Sequence, residues 1–528
     1  VSRHVRSFAL MAAGLLMAGV TVGCGGPGGT SGHGEGKGRA RPPASSSASP
    51  SRSAQGSRSL PALPAALTSQ RLDWGRCKAG DDSPAPGSDW RCATLKAPLD
   101  YAKPDGETIG VALIRAKYTG KGGRSGSLLF NFGGPGGSGV SLLPAFAPQY
   151  AKLRERYDLV SFDPRGVGAS EGVRCRDDKA IQAAESVDLT PDTPAEERAY
   201  FKDAADFAAG CARQAGKLLR HVSTDDTARD LDLMRQVLGD DKLHYMGVSY
   251  GTQLGGVYAH LFPQRVGRLV LDAVVDPAAD SVGHSLNQTR GFQRALDNYL
   301  KSTGQDPDRG TRKIAALLKR LDAKPLPGTG GRVLNQSLAT IGITVTLYSR
   351  SSWPALTRGL EAAGKGDGTQ LLALADTYNE RNPAGHYGSQ SHAQRAISCL
   401  DDKERPTPAE ARKRLASFRA VSPVFGEFMA WDTAGWCHDW PVPGQYATPE
   451  VSAPGAAPIL VVGNTGDPAT PYEGARRMAD ELGKGVGVEL TWKGEGHGAY
   501  GSGSGCVDST VNGYLLEGRI PRDGKVCS

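Results

Sequence analysis

The run Leu243-His244-Tyr245-Met246-Gly247-Val248-Ser249-Tyr250-Gly251 constrains this chain more than any other stretch. A short apolar segment stops at Gly-x-Ser-x-Gly, and a helix-like segment follows from Thr252 to Phe262, ended by Pro263. Strand, sharp turn and helix is the setting in which that motif makes a nucleophile elbow. The turn is too tight for side chains on either side of the serine. Its strain lifts the Ser249 hydroxyl off the sheet and brings the Tyr250 amide beside it.

By itself the motif is weak, because Gly makes up 70 of 528 residues and about one chance match is expected at ordinary Ser usage. A second match, Gly168-Ala169-Ser170-Glu171-Gly172, follows a Gly-rich loop rather than a strand, with no amphipathic helix behind it. Ser249 is therefore the expected nucleophile and Ser170 the chance match. That assignment stands only if the rest of a hydrolase surrounds it.

Residues 1–23 read as an export signal, with Arg3 and Arg6 before the apolar run Phe8 to Val22, which is short for a membrane span. Thr21-Val22-Gly23-Cys24 resembles the site at which bacterial lipoproteins are cleaved and lipidated on the cysteine. The chain is expected at the outer face of the cell membrane, anchored by lipid on Cys24, or released. Residues 24–65 are Gly-, Ser- and Pro-rich without apolar periodicity and read as a flexible tether. Arg3, Arg6, Lys37, Arg39, Arg41, Arg52 and Arg58, against Glu35 alone, carry nearly all of the formal net charge of +7. The folded remainder is close to neutral, which argues against a nucleic-acid partner. Eight cysteines remain after Cys24: Cys77, Cys92, Cys175, Cys211, Cys399, Cys437, Cys506 and Cys527. An even set in an exported chain implies disulfides, and pairing between sequence neighbours is expected. Without Cys-x-x-Cys, zinc or thiol redox chemistry is not expected.

Apolar runs at Ile109–Ile114, Ser127–Phe132, Asp158–Phe162, Leu243–Met246, Leu269–Val275, Pro458–Val462 and Val488–Trp492 predict strands, with helical segments such as Thr227–Leu238 and Gly474–Leu482 between them. This alternation predicts an α/β fold with a mostly parallel sheet. From Asp276 to about Trp440 strand signals nearly vanish and helix-like segments take over, including Arg290–Tyr299, Thr311–Leu321, Trp353–Ala363 and Pro408–Phe418. The expected organisation is a core over 66–275 and 441–528, with a helical cap inserted at 276–440.

Acyl transfer by serine requires a base, an orienting acid and oxyanion donors. His497, in Gly494-Glu495-Gly496-His497-Gly498 after a strand-like run, is the expected base; its rival His438 sits among aromatics and cysteines, a packing environment. Asp467 follows the strand Ile459–Val462 and is the expected acid, with Asp272 and Asp276 as alternatives after the strand beyond the elbow. Thr470 is read as a surface cap of the Asp467 loop. The turn Phe132-Gly133-Gly134-Pro135-Gly136-Gly137 follows an early strand and can approach a developing oxyanion closely; the amides of Gly134 and Tyr250 are the expected donors. No Gly-Lys-Ser/Thr follows that turn, which sets aside a phosphate loop.

These residues carry a resemblance. The Phe132–Gly137 turn is similar to the His-Gly-Gly-Pro-Gly-Gly turn of the prolyl aminopeptidase group of α/β-hydrolases, with Phe132 in place of His. Asp163-Pro164-Arg165-Gly166-Val167-Gly168, with Ser170, is similar to that group's Asp-x-Arg-Gly-x-Gly-x-Ser segment, which provides Ser170 with a structural home. More closely, the chain resembles the exported bacterial tripeptidyl aminopeptidases. That likeness runs from Trp90-Arg91-Cys92 and Pro98-Leu99-Asp100-Tyr101, through Gly466-Asp467-Pro468-Ala469-Thr470-Pro471, to Gly513-Tyr514-Leu515 and Gly518-Arg519-Ile520-Pro521.

The resemblance implies an α/β-hydrolase fold and a serine exopeptidase acting on peptides with a free N-terminus and releasing short peptides. No metal or organic cofactor is expected. Such an enzyme must hold an ammonium group near the nucleophile, and buried carboxylates do that at least cost. Asp401, with Asp402 second, is the expected anchor, and Asp432, Glu427 and Glu380 are further acids of the insertion. The competing readings are a carboxylesterase or lipase with the same triad, a prolyl aminopeptidase releasing single residues, and an envelope protein that binds without turnover. Elbow and triad do not separate ester from amide hydrolysis.

Overall fold

The computed structural model describes residues 60–79 and 84–528. The expected export signal, most of the tether and Cys24 lie outside the described residues. The strands are β1 (Gly75–Arg76), β2 (Trp90–Pro98), β3 (Thr108–Ala116), β4 (Gly126–Asn131), β5 (Tyr157–Phe162), β6 (Leu243–Val248), β7 (Val266–Asp272), β8 (Leu326–Pro327), β9 (Val333–Leu334), β10 (Ile459–Gly466), β11 (Gly487–Glu495) and β12 (Lys525–Cys527). Ten of them form one sheet in the order β1-β2-β3-β5-β4-β6-β7-β10-β11-β12, and β8 pairs with β9 alone. From β5 to β12 every neighbouring pair is parallel, while β1, β2 and β3 extend the sheet with antiparallel pairs.

Strands of a parallel sheet are covered on both faces and read as continuous apolar runs, and β4 and β5 are buried along their whole length. The pleat sends alternate side chains to opposite layers. Leu129, Tyr245, Leu271 and Val461 pack with the helices Thr224–Val237, Tyr250–Leu261 and Tyr472–Leu482. Leu128, Met246, Val270 and Leu460 pack with the helices Gly139–Phe146 and Gly505–Glu517 on the other side.

Between β7 and β10 lie eight α-helices, from Ser281–Ser302 to Gly426–Gly435, with the short β8–β9 pair. They have their own apolar core, built from residues such as Leu296, Leu318, Ile343, Leu371 and Phe425. The helix Ser281–Ser302 packs on the Asp467 loop, where Gly291 lies so close that a Cβ there would meet the Pro468 carbonyl oxygen at 2.3 Å.

All eight cysteines expected to pair do so with their sequence neighbours: Cys77–Cys92, Cys175–Cys211, Cys399–Cys437 and Cys506–Cys527. Among the described residues no helix is long and apolar enough to cross a membrane.

Candidate active site

The strand register brings the expected residues to one edge of the sheet. Asn131 is level with Gly247, Val248 with Asp272, and Asp272 with Val462. The loops leaving the C-terminal ends of β4, β6, β7, β10 and β11 therefore converge, as they do at the ligand edge of open parallel sheets.

Ser249 sits between β6 and the helix Tyr250–Leu261 with φ 57° and ψ −125°, a left-handed backbone that costs a non-glycine residue of order 1–3 kcal/mol. The flanking glycines make that turn possible. A Cβ on Gly247 would lie 2.2 Å from the Gly251 carbonyl oxygen, and one on Gly251 would lie 2.6 Å from that of Asn131. Ser170 is fully buried and accepts the Ala112 amide at 2.7 Å while donating to the Asp163 carbonyl at 2.7 Å. It is a structural bracket, as the sequence comparison of the two motifs predicts.

His497 is buried, and its Nδ1 lies 2.9 and 3.0 Å from the two carboxylate oxygens of Asp467. Asp467 is itself fixed by the amides of Ala469 at 2.9 Å and Thr470 at 2.8 Å. Burial alone would lower the His497 pKa, but the charge and hydrogen bond of Asp467, with Asp272 behind them, hold it above the ordinary 6.5. Thr470 is not a surface cap. It is buried, with Oγ1 3.3 Å from His497 Nδ1, because the helix Ser281–Ser302 covers this loop.

Asp272 has a different part from the acid role weighed for it. Its carboxylate accepts the amides of Ala499 at 3.0 Å and Tyr500 at 2.9 Å, and its carbonyl accepts the Ser249 amide at 3.1 Å. Burial pushes its carboxyl up to about 6. Asp276 is turned away, held by Arg477, Asn287 and the Ala278 amide. His438 packs against the Phe201 ring at 4.8 Å, remote from Ser249 in its contacts.

The Phe132–Gly137 turn lies against the elbow. A Cβ on Gly133 would be 2.8 Å from the Ser249 Cβ and 3.1 Å from the Tyr250 nitrogen. Gly134 has φ 109°, a backbone open to glycine. Phe132 supports the turn by packing, with its ring 5.8 Å from that of Phe146 and 6.3 Å from that of Tyr150, and Asn131 Oδ1 accepts the Gly133 amide at 3.0 Å.

Ser249, His497, Gly134 and Tyr348 line one cavity of about 2080 Å³ between the sheet edge and the inserted helices. Asp401 and Asp402 do not line it. Asp401 is buried behind the elbow, accepting the Thr224 amide at 2.9 Å and the Thr224 hydroxyl at 2.5 Å, and its burial pushes the carboxyl up to about 7. Asp402 ends the helix Gln390–Asp401 and accepts the Glu404 amide at 2.9 Å. Glu427 pairs with Arg419, and Asp432 lies in the field of Arg395. Of the acids named from the insertion, Glu380 does line the cavity.

Tyr348 was not foreseen. Its carbonyl accepts the His497 amide at 2.8 Å, and its ring stands edge-on to the imidazole at 5.3 Å. It comes from the insertion, so only the tertiary fold relates it to His497. Among the described residues no group of three or more His, Cys, Asp or Glu side chains is placed to hold a metal ion.

Residues 422–527 match the family described as TAP-like protein. Serine protease Hip1 of Mycobacterium tuberculosis is 36% identical over 485 residues, covering 87% of this chain and 91% of the relative. Carboxylesterase B of the same organism is 34% identical over 492 residues, covering 90% and 92%. Tripeptidyl aminopeptidase of Streptomyces lividans is 33% identical over 506 residues, covering 90% of each chain.

Proposed function

The chain belongs to the TAP-like family of α/β-hydrolase serine peptidases, and from that premise we propose that it hydrolyses peptides from a free N-terminus, releasing tripeptides, through Ser249, His497 and Asp467. The observation that carries this reading is the pair of contacts, 2.9 and 3.0 Å, from Asp467 to His497 Nδ1 on the cavity that also holds Ser249. They fix the tautomer that leaves Nε2 as the acceptor and stabilise the imidazolium that forms.

His497 takes the Ser249 proton as Oγ attacks the scissile carbonyl. The oxyanion is met by the Tyr250 and Gly134 amides, and His497 then protonates the leaving amine. Water, deprotonated by the same imidazole, attacks the acyl-enzyme, and Ser249 recovers its proton as the peptide leaves.

The substrate's ammonium calls for a carboxylate in the same cavity. Glu380 supports that role in place of Asp401 and Asp402. Its Oε2 accepts the Gln390 amide at 3.2 Å, and Gly388 makes room for it, since a Cβ there would fall 2.0 Å from Oε2. Glu380 also holds φ 52°, a conformation rare outside glycine.

Export, with Cys24 as the lipidation site, is part of the same proposal. The four disulfides support it, since such bonds persist in oxidising compartments.

The deciding experiment compares the chain and Ser249→Ala on a tripeptide arylamide with its amine free and then acetylated. Turnover of the free form only, abolished in the variant and releasing an intact tripeptide, is expected. Equal turnover of both forms would overturn the N-terminal requirement. Inert arylamides beside rapid short-ester hydrolysis would favour the esterase reading, which a relative named carboxylesterase B at 34% identity keeps in view.

A further inference from the structure

One helix of the insertion reaches both backbone segments assigned to the oxyanion. At the N-terminal end of Gln390–Asp401, Gln394 Nε2 donates to the Gly134 carbonyl at 3.2 Å. Gly136 is pressed against the same turn of helix, where a Cβ would lie 2.6 Å from the Gln390 carbonyl oxygen and 3.0 Å from the Gln394 nitrogen. At the C-terminal end, Asp401 takes both the amide and the hydroxyl of Thr224, and Thr224 Oγ1 lies 2.6 Å from the Tyr250 hydroxyl. A hydroxyl has one hydrogen and an ionised carboxylate only accepts. With Asp401 ionised, the chain therefore runs from Tyr250 O–H to Thr224 and from Thr224 O–H to Asp401.

The helix is itself tied to the rest of the insertion. Cys399 is bonded to Cys437, and Arg395 Nη2 donates to the Gly435 carbonyl at 2.7 Å. Gly134 has no side chain by which it could be held, so its peptide carbonyl is the available handle. Tyr250 is held by its hydroxyl.

We propose that Gln394, Thr224 and Asp401 are positioning residues, and that the insertion, through this helix, aims the two oxyanion amides. The proposal rests on the assignment of Gly134 and Tyr250 as donors. Its physical basis is that a donor stabilises the transition state only when already placed about 2.7–3.1 Å from where the oxyanion will form. Misplacement of such groups by about 1 Å costs on the order of a hundredfold. Asp401, read from the sequence as a contact for the substrate's amine, acts here on the elbow from behind.

The test uses the full chain with Thr224→Val, Gln394→Leu and the double variant, measured on the free tripeptide arylamide and on a peptide boronic acid. The boronate forms a tetrahedral adduct with Ser249 and so reports the oxyanion site directly. Each single change is expected to lower kcat about tenfold, less than the 10²–10³ lost with a whole donor. KM stays within about twofold, and boronate affinity falls in proportion to kcat. Thr224→Ser keeps the hydroxyl and restores kcat. Should Thr224→Val not fold, Tyr250→Phe cuts the same chain from the other side with Thr224 and Asp401 still joined. Unchanged kcat and boronate affinity in the folded variants would overturn the proposal, whatever happens to the melting temperature. A raised KM with kcat intact would overturn it too, by making the helix a substrate contact. Failure of the underlying reading is separate, because it shows as turnover surviving in Ser249→Ala.

Discussion

Asp272 links the elbow to the loop that follows His497. Its carbonyl accepts the Ser249 amide, and its carboxylate accepts the amides of Ala499 and Tyr500, just past His497. Its charge also helps to hold the His497 pKa up, behind the opposing effect of burial and the stronger contribution of Asp467. His497 must be neutral to take the Ser249 proton, so kcat/KM is expected to rise with pH through a value above 6.5. Asp272, whose carboxyl burial pushes up to about 6, faces Asp467, His497, Tyr150 and Tyr500. Asp272→Asn removes the charge, so the acid limb should move to lower pH while the plateau falls as the loop loosens. A pH–rate profile of the variant checks this, and an unmoved limb would mean that the charge does not reach the imidazole. Ser249, His497 and Asp467 stood out in sequence as candidates because each sits on a loop whose glycines or strand context advertise it. Asp401 was misread because a buried acid beside a cysteine carries no signal of which way it faces.

At the level of elements, the buried strands were plain in sequence because a run covered on both faces has no polar interruption. The strand Trp90–Pro98 escaped, as its exposed positions hold Arg91, Thr94 and Lys96 at the sheet's antiparallel edge. The helix Pro194–Ala215 also went unread, though its start carries a capping box of Thr193 and Glu196 with Pro194 in the first turn. The Cys399–Cys437 bond joins the helix Gln390–Asp401 to the turn that follows the helix Gly426–Gly435, 38 residues along the chain. Closing a loop of that length stabilises a fold by about 4 kcal/mol on chain-entropy grounds. Cys399→Ala with Cys437→Ala should therefore lower the unfolding free energy by about 2–4 kcal/mol, read from denaturant melts. If the helix Gln390–Asp401 positions the oxyanion amides, kcat should fall as well before the protein unfolds.

At the level of the whole molecule, the cavity lies where the insertion meets the sheet edge, lined by residues of both. Core and insertion are stitched together around it. Arg332 of the insertion pairs with Glu185 of the core at 2.8 Å, and the His392 ring accepts the Cys175 amide at 3.1 Å. The proposed amine requirement belongs to this scale, since Glu380 of the insertion and Ser249 of the core line the same cavity. Losing one charged hydrogen bond costs about 1.5–3 kcal/mol, so Glu380→Gln should lower kcat/KM on the free tripeptide arylamide by roughly 10–100-fold. Hydrolysis of a short uncharged ester should be nearly unchanged in the same variant. Steady-state kinetics on the two substrates would decide it, and equal losses on both would assign Glu380 a structural role.

Sequence by itself was enough to predict the parallel sheet and the elbow, to place a candidate serine, acid and histidine in order, and to raise the neighbour pairing of the cysteines that the structure shows. Each of these is written in local periodicity, in glycines a tight turn requires, or in short chain separations. Only the tertiary structure decided which acids face the cavity, that Tyr348 stands beside His497, and that one helix of the insertion bonds Gly134 directly and Tyr250 through Thr224. Those relations join residues far apart in the chain, and direction of burial leaves no mark on residue type: Asp401 and Glu380 are both acids of the same insertion, one behind the elbow and the other in the cavity.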